Sequence, residues 1–139
     1  MRVMKTVKKY ITEQNIKLAV RFILGGVFIF AGVSKLVDPK LFIRSLQSII
    51  PLSDIYIIFF TYGFILFEIV LGLVILFYIN HKVLLITIST LSILCIYLMY
   101  KIYINDNSFC GCFGSFLVLS NKKEFVNNLI LLMISIYLT

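Results

Sequence analysis

The sequence predicts an all-α protein: a four-helix transmembrane bundle with a short amphipathic interfacial helix between helices 1 and 2. Composition and segmentation carry this reading. Of 139 residues, 61% are hydrophobic and only 14% are charged, whereas a soluble globular domain carries about 25% charged residues. So few charges cannot cover a surface in water, which excludes a soluble enzyme, and the apolar content excludes a disordered chain. The apolar residues gather into four long segments, and at this length the chain forms one domain over 1–139. A net charge of +7 would raise nucleic acid in a soluble protein. Here the basic residues flank apolar runs and read as membrane orientation signals, with the lipid bilayer as partner and no nucleic acid.

The segments lie at about 16–36, 55–79, 83–104 and 125–139. A helix crossing a bilayer needs about 20 mostly apolar residues. The first three qualify, and the shorter fourth spans with tilt or local thinning. Backbone polar groups in lipid must be bonded internally, so these runs become helices despite their β-branched residues. Ala31-Gly32-Val33-Ser34 imitates a signal-peptide cleavage site, but the first apolar stretch is long for a signal peptide and three more follow. Between the first two spans, Asp38 can cap a helix and Pro39 suits its first position. Over about 39–50, Phe42, Leu46, Ile49 and Ile50 share one face, opposite Lys40, Arg44, Gln47 and Ser48. This is the pattern of a helix lying in the interface.

Orientation follows from the tail before the first helix, which carries Arg2, Lys5, Lys8, Lys9 and Lys17. The first helix usually dominates, so both termini are expected in the cytoplasm. The connections at about 37–54 and 105–124 then face outward.

The most informative motif is Phe109-Cys110-Gly111-Cys112-Phe113-Gly114, in the second outer connection. That compartment permits disulfides. Cysteines at i and i+2 close a small ring of tight geometry, which Gly111 relaxes because it can take positive φ. A strained, accessible disulfide exchanges with other thiols, so Cys110 and Cys112 are the candidate catalytic pair. Two alternatives stand beside this. A static bridge would staple a turn, although so small a loop contributes little entropy. Thiolates also suit Cu(I) or Zn(II), but two ligands are too few and His81 is expected on the other membrane side, so no metal is assigned. Cys95 lies within the third span, about 14 Å along the helix from its end, and reads as a small apolar filler.

Glu68 is an ionisable residue inside the second span, so a partner is expected. Arg21 is the expected partner. It lies about 8 Å from the inner end of its helix, and Glu68 about 16 Å from the inner end of its own. The pair reads as fixing helix register, with proton handling coupled to redox chemistry as the alternative. Lys35 and Asp38, spaced i and i+3, read as a brace at the helix end. Gly25, Gly32 and Gly72 allow close helix packing, and Asn127 and Asn128 can hydrogen-bond across helices. The many Phe and Tyr residues could line a site for an apolar quinone ring.

Together these motifs resemble the MauE/DoxX group of membrane proteins. Arg21-Phe22-Ile23-Leu24-Gly25, Phe28 and Ala31 to Pro39 with Phe42 look like its first-helix signature, and Pro51 follows at the expected distance. Glu68-Ile69-Val70-Leu71-Gly72 resembles the second-helix motif. Cys110-Gly111-Cys112-Phe113-Gly114 matches the cysteine motif of the MauE branch, and Asn128 with its leucine-rich run resembles the last helix. The resemblance spans about Lys17 to Tyr137 and implies a bacterial inner-membrane protein associated with redox chemistry. It implies that Cys110 and Cys112 form the redox pair, with Gly111, Phe113, Gly114, Lys35, Asp38, Glu68 and Arg21 supporting it. It also implies service to an exported, disulfide-containing client. The bundle is similar to that of vitamin K epoxide reductase, but the chain has no second cysteine pair to relay electrons. A membrane quinone or a thioredoxin-like partner would then take that role. The rival function is a non-catalytic membrane subunit or assembly factor with Cys110–Cys112 as a fixed bridge.

Overall fold

The computed structural model describes residues 2–78, 80–104, 111–112 and 120–138, with side chains from residue 14 onward. Five helices run through the described residues: α1 (Arg2–Val37), α2 (Lys40–Gln47), α3 (Asp54–Phe77), α4 (His81–Tyr103) and α5 (Asn121–Leu138). Residues Gln14–Val37 of α1, and α3 and α4 over their whole lengths, are long and apolar enough to cross a membrane. Helices α3 and α4 occupy Asp54–Phe77 and His81–Tyr103, where the sequence places apolar segments at about 55–79 and 83–104. Helix α1 begins well before Ile16, and α5 begins four residues before Phe125, which takes Glu124 into its first turn. Helix α2 is shorter than 39–50, because the chain leaves the helix in a turn after Gln47.

The distribution of polarity is inverted relative to a water-soluble fold. Phe59 and Phe77 are each 82% exposed, while Lys35, Lys101 and Glu124 are fully buried. A surface of this kind is matched by a lipid bilayer. Hydroxyls on α4 follow the same logic. Thr87, Ser89, Thr90 and Ser92 each donate to the carbonyl four residues back, at 2.8–2.9 Å. Each thereby finds a partner without water.

Helix α1 packs antiparallel along α3, and α4 along α5, with lesser contacts between these pairs. Small residues set the first packing. A Cβ placed on Gly25 would lie 2.9 Å from the Gly72 carbonyl oxygen, and one on Gly72 would lie 2.9 Å from that of Gly25. On Gly32 it would lie 2.6 Å from Ile69 Cγ1. The two backbones therefore touch, as the small-residue reading expects. Gly72→Val must push α1 and α3 apart. It is expected to cost about 1–3 kcal/mol, read as a lower unfolding midpoint in lipid nanodiscs. Gly63→Val is the control, since a Cβ there meets nothing within 4 Å.

This register leaves the start of α3 overhanging the end of α1, and α2 packs on the overhang. Phe42 and Leu46 bury against Ile57, and the Phe42 and Phe64 rings stack at 5.6 Å. Asp38 Oδ1 accepts the Lys40 N–H at 3.2 Å, but the cap position falls on Pro39 and the first helical residue is Lys40, one later than the sequence suggests. The central core is formed by Leu24, Phe28, Leu71, Ile75, Leu91, Leu98 and Leu131, and it takes in Cys112.

Candidate functional site

The ends of α1 and α4, the starts of α3 and α5, and the whole of α2 meet at one end of the bundle. Among the described residues, four charged side chains lie buried near it: Lys35, Glu68, Lys101 and Glu124. Lys35 Nζ donates to both carboxylate oxygens of Glu68, at 2.7 and 2.6 Å. The same ammonium sits 5.2 and 5.4 Å from the centroids of the Phe42 and Phe64 rings, a cation–π arrangement that ties the ion pair to α2.

This pairing corrects two expectations. Glu68 does not pair with Arg21, and Lys35 is engaged by Glu68 rather than joining Asp38 in a brace at the helix end. Arg21 instead donates to the carbonyls of Ile75 and Leu76, at 2.6 and 2.5 Å, capping the last turn of α3. The cause is register. With Gly25 against Gly72, Arg21 lies beside residues 75–76, and Glu68 is about 12 Å further along the helix. Lys35 reaches back into that space, and Asp38 is left to accept the Lys40 N–H at the start of α2.

Above the ion pair, Lys101 Nζ donates to Ser45 Oγ at 2.7 Å. Ser45 Oγ and the Tyr97 hydroxyl are also 2.7 Å apart. Glu124 is buried among these groups, and neither of its carboxylate oxygens has a hydrogen-bond partner among the described residues. Burial pushes its carboxyl up to about 7, against the opposing pull of Lys35 and Lys101.

The cysteine motif enters at this same end. Gly111 has φ +63°, and a Cβ on it would lie 2.9 Å from the Phe42 nitrogen and 3.0 Å from Leu41 Cβ. Both the backbone conformation and the close approach to α2 require glycine. Cys112 is disulfide-bonded and 4% exposed. It lines a cavity of about 20 Å³ together with Glu68, Asn128, Phe28 and Leu131, which is room for about one water molecule. Asn128 is buried, and its Nδ2 has no hydrogen-bond partner among the described residues. Cys110, Phe113 and Gly114 lie outside the described residues. Cys95 is a free thiol buried on α4.

Sequence reasoning therefore found Cys112, Gly111, Lys35, Glu68 and Asn128. It did not single out Glu124, Lys101, Ser45 or Tyr97. A signal existed for the two charges. Glu124, Asn128, Leu131 and Ser135 fall on one face of α5, and all are buried. Leu91, Cys95, Leu98 and Lys101 do the same on α4. Both charges thus continue a stripe that packs inward.

Comparison with curated proteins finds no match, and comparison with solved structures finds none. A family model described as methylamine utilisation protein MauE matches residues 13–139, covering both glycine-packed helices, the buried ion pair and the cysteine motif. On that match over most of its length, the chain belongs to the MauE family of membrane proteins.

Proposed function

We propose that this protein is a membrane thiol–disulfide redox protein, in which Cys110 and Cys112 form the reactive pair and serve disulfide formation or maturation of an exported client. The observation that carries this reading is the seat of Cys112. A disulfide-bonded sulfur sits on a glycine held against α2, beside a small cavity shared with Glu68 and Asn128. Cys95 is free, so of the three cysteines in the chain Cys110 is the one left to pair with it. Because Cys112 is buried, Cys110 is the sulfur that meets the client. In this reading α5 from Phe125 onward is the fourth membrane-crossing segment, with Glu124 at its mouth, and α2 lies in the interface. The termini face the cytoplasm, and the cysteine end faces the oxidising side of a bacterial inner membrane.

A membrane quinone, when bound, would take the two electrons that the cysteine pair collects. An apolar groove of about 730 Å³ between α2 and α3, lined by Leu46, Ile50, Tyr56, Phe60 and Phe64, offers the apolar surface such a ring and tail need. A thioredoxin-like protein is the other acceptor consistent with a single cysteine pair. The burial of Cys112 favours a second reading, in which the bridge is a fixed staple in a non-catalytic assembly factor.

Thiol labelling separates the two. An impermeant thiol reagent is applied to intact cells before and after mild reduction, and labelled cysteines are found by mass spectrometry. The redox reading expects Cys110 and Cys112 to be labelled only after mild reduction. Resistance of the pair to reductant would establish the staple, and labelling without reduction would mean free thiols.

A further inference from the structure

We infer that Glu124 is the proton-exchanging group of the disulfide centre, donating a proton to the Cys112 sulfur when the bond opens and recovering it when the bond closes. This rests on the redox reading and names a residue for it.

The argument starts from what Glu124 lacks. A fully buried carboxylate normally has its oxygens hydrogen-bonded, yet both of these are without a partner among the described residues. The neighbouring charges are already engaged. Lys35 of α1 is bonded to Glu68 of α3 through both carboxylate oxygens, and Lys101 of α4 donates to Ser45 of α2. The Tyr97 hydroxyl of α4 closes on Ser45 as well. Glu68 is thus fixed as a counter-ion, whereas Glu124 is attracted by two lysines while its oxygens have no hydrogen-bond partner among the described residues. Its titration near neutrality suits proton exchange.

Position supplies the second observation. Asn128 lies one helical turn from Glu124, about 6 Å along the same buried face of α5. Its unpartnered Nδ2 accompanies Cys112 and Glu68 around the 20 Å³ cavity. Glu124 does not itself line the cavity, but it lies on the same buried helix face as Asn128, which does, and the cavity has room for about one water.

The chemistry needs such a group. A client thiolate attacks the Cys110 sulfur, the Cys110–Cys112 bond breaks, and a client–Cys110 disulfide forms. The electron pair of the broken bond leaves on Cys112 as a thiolate. A bare thiolate in this apolar core is costly, and the protonated Glu124 carboxyl neutralises it, becoming the carboxylate that Lys35 and Lys101 stabilise. The client's second thiolate then attacks its own sulfur in the mixed disulfide and releases Cys110 as a thiolate, which takes a proton from solvent. The client dithiol is oxidised and the Cys110–Cys112 pair is reduced. In reverse, Glu124 removes the Cys112 proton so that its thiolate can close the bond.

The test uses the full chain in lipid nanodiscs and a water-soluble dithiol. The rate of opening is followed by trapping the thiols, and divided by the reagent's own thiolate concentration. In the wild type this normalised rate is expected to be high below about pH 7, where Glu124 is protonated, and to fall as pH rises through that value. Glu124→Gln removes the step and slows opening below it by about 100-fold. Glu124→Asp restores a step, which a purely structural role would not do. A wild-type profile in Glu124→Gln overturns the assignment, as does a flat profile in a folded Glu124→Asp. A wild-type pair that no reductant opens overturns the redox reading itself, and is recognised by the absence of any trapped thiol at Cys110 and Cys112.

Discussion

Lys35→Met is expected to lower stability by about 3–5 kcal/mol, the usual consequence of removing one partner from a buried ion pair. Lys35 is fully buried, and its ammonium contacts both oxygens of Glu68 within hydrogen-bonding distance. Without it the Glu68 carboxylate has no counter-ion on the facing helix and must be protonated or desolvated at full cost. The loss extends beyond the pair. The ammonium also lies against the stacked Phe42 and Phe64 rings, so α2 loses part of its attachment and Gly111, which rests on Leu41 and Phe42, loses its support. The readouts are a lower unfolding midpoint in nanodiscs and reduced abundance in membranes. Lys35→Met combined with Glu68→Leu removes both charges and is expected to recover most of the loss. A double variant as unstable as the single one would show that the charge pair is not what holds this end together. Glu68→Gln is milder, because its amide oxygen still accepts from Lys35.

Much of this architecture was legible in the residues. Long apolar runs located α3 and α4, the Asp38–Pro39 pair located the start of α2, and Gly25, Gly32 and Gly72 marked the contact between α1 and α3. What failed was stagger. Helix lengths and end distances made Arg21 and Glu68 look mutually accessible, but length says nothing of how two antiparallel helices slide past each other. That offset is fixed by Gly25 meeting Gly72 and Gly32 meeting Ile65 and Ile69, a contact visible only once both backbones are placed. Lys101 and Glu124 were obscured for a different reason. A charge at the end of an apolar run resembles one that reaches toward water. Only the continuation of the buried stripe, from Leu98 to Lys101 and from Asn128 back to Glu124, distinguishes an inward charge from an outward one.

Cys112→Ser and Cys110→Ser are expected to abolish client oxidation alike, but to differ sharply in what they capture. Cys112 is 4% exposed and packed among Leu24, Phe28 and Leu131, so a client sulfur cannot approach it without displacing core side chains. Thiol–disulfide exchange requires attack along an accessible sulfur. In the proposed reaction Cys110 therefore meets the client, and Cys112 is the leaving sulfur inside, which closes on a mixed disulfide only in the reverse direction. Cys112→Ser leaves Cys110 as a lone thiol, which attacks a client disulfide and, with no Cys112 thiol to close on it, is expected to accumulate a client–Cys110 adduct, seen as a reductant-sensitive band on non-reducing gels. Cys110→Ser leaves only the buried thiol and is expected to accumulate about tenfold less adduct or lower still, the ratio set by how rarely the core opens there. Equal trapping by both variants would mean that the cysteine end opens far more freely than its packing implies. Full client oxidation by a Cys110→Ser, Cys112→Ser double variant would remove the pair from the reaction, leaving the assembly-factor reading in its place.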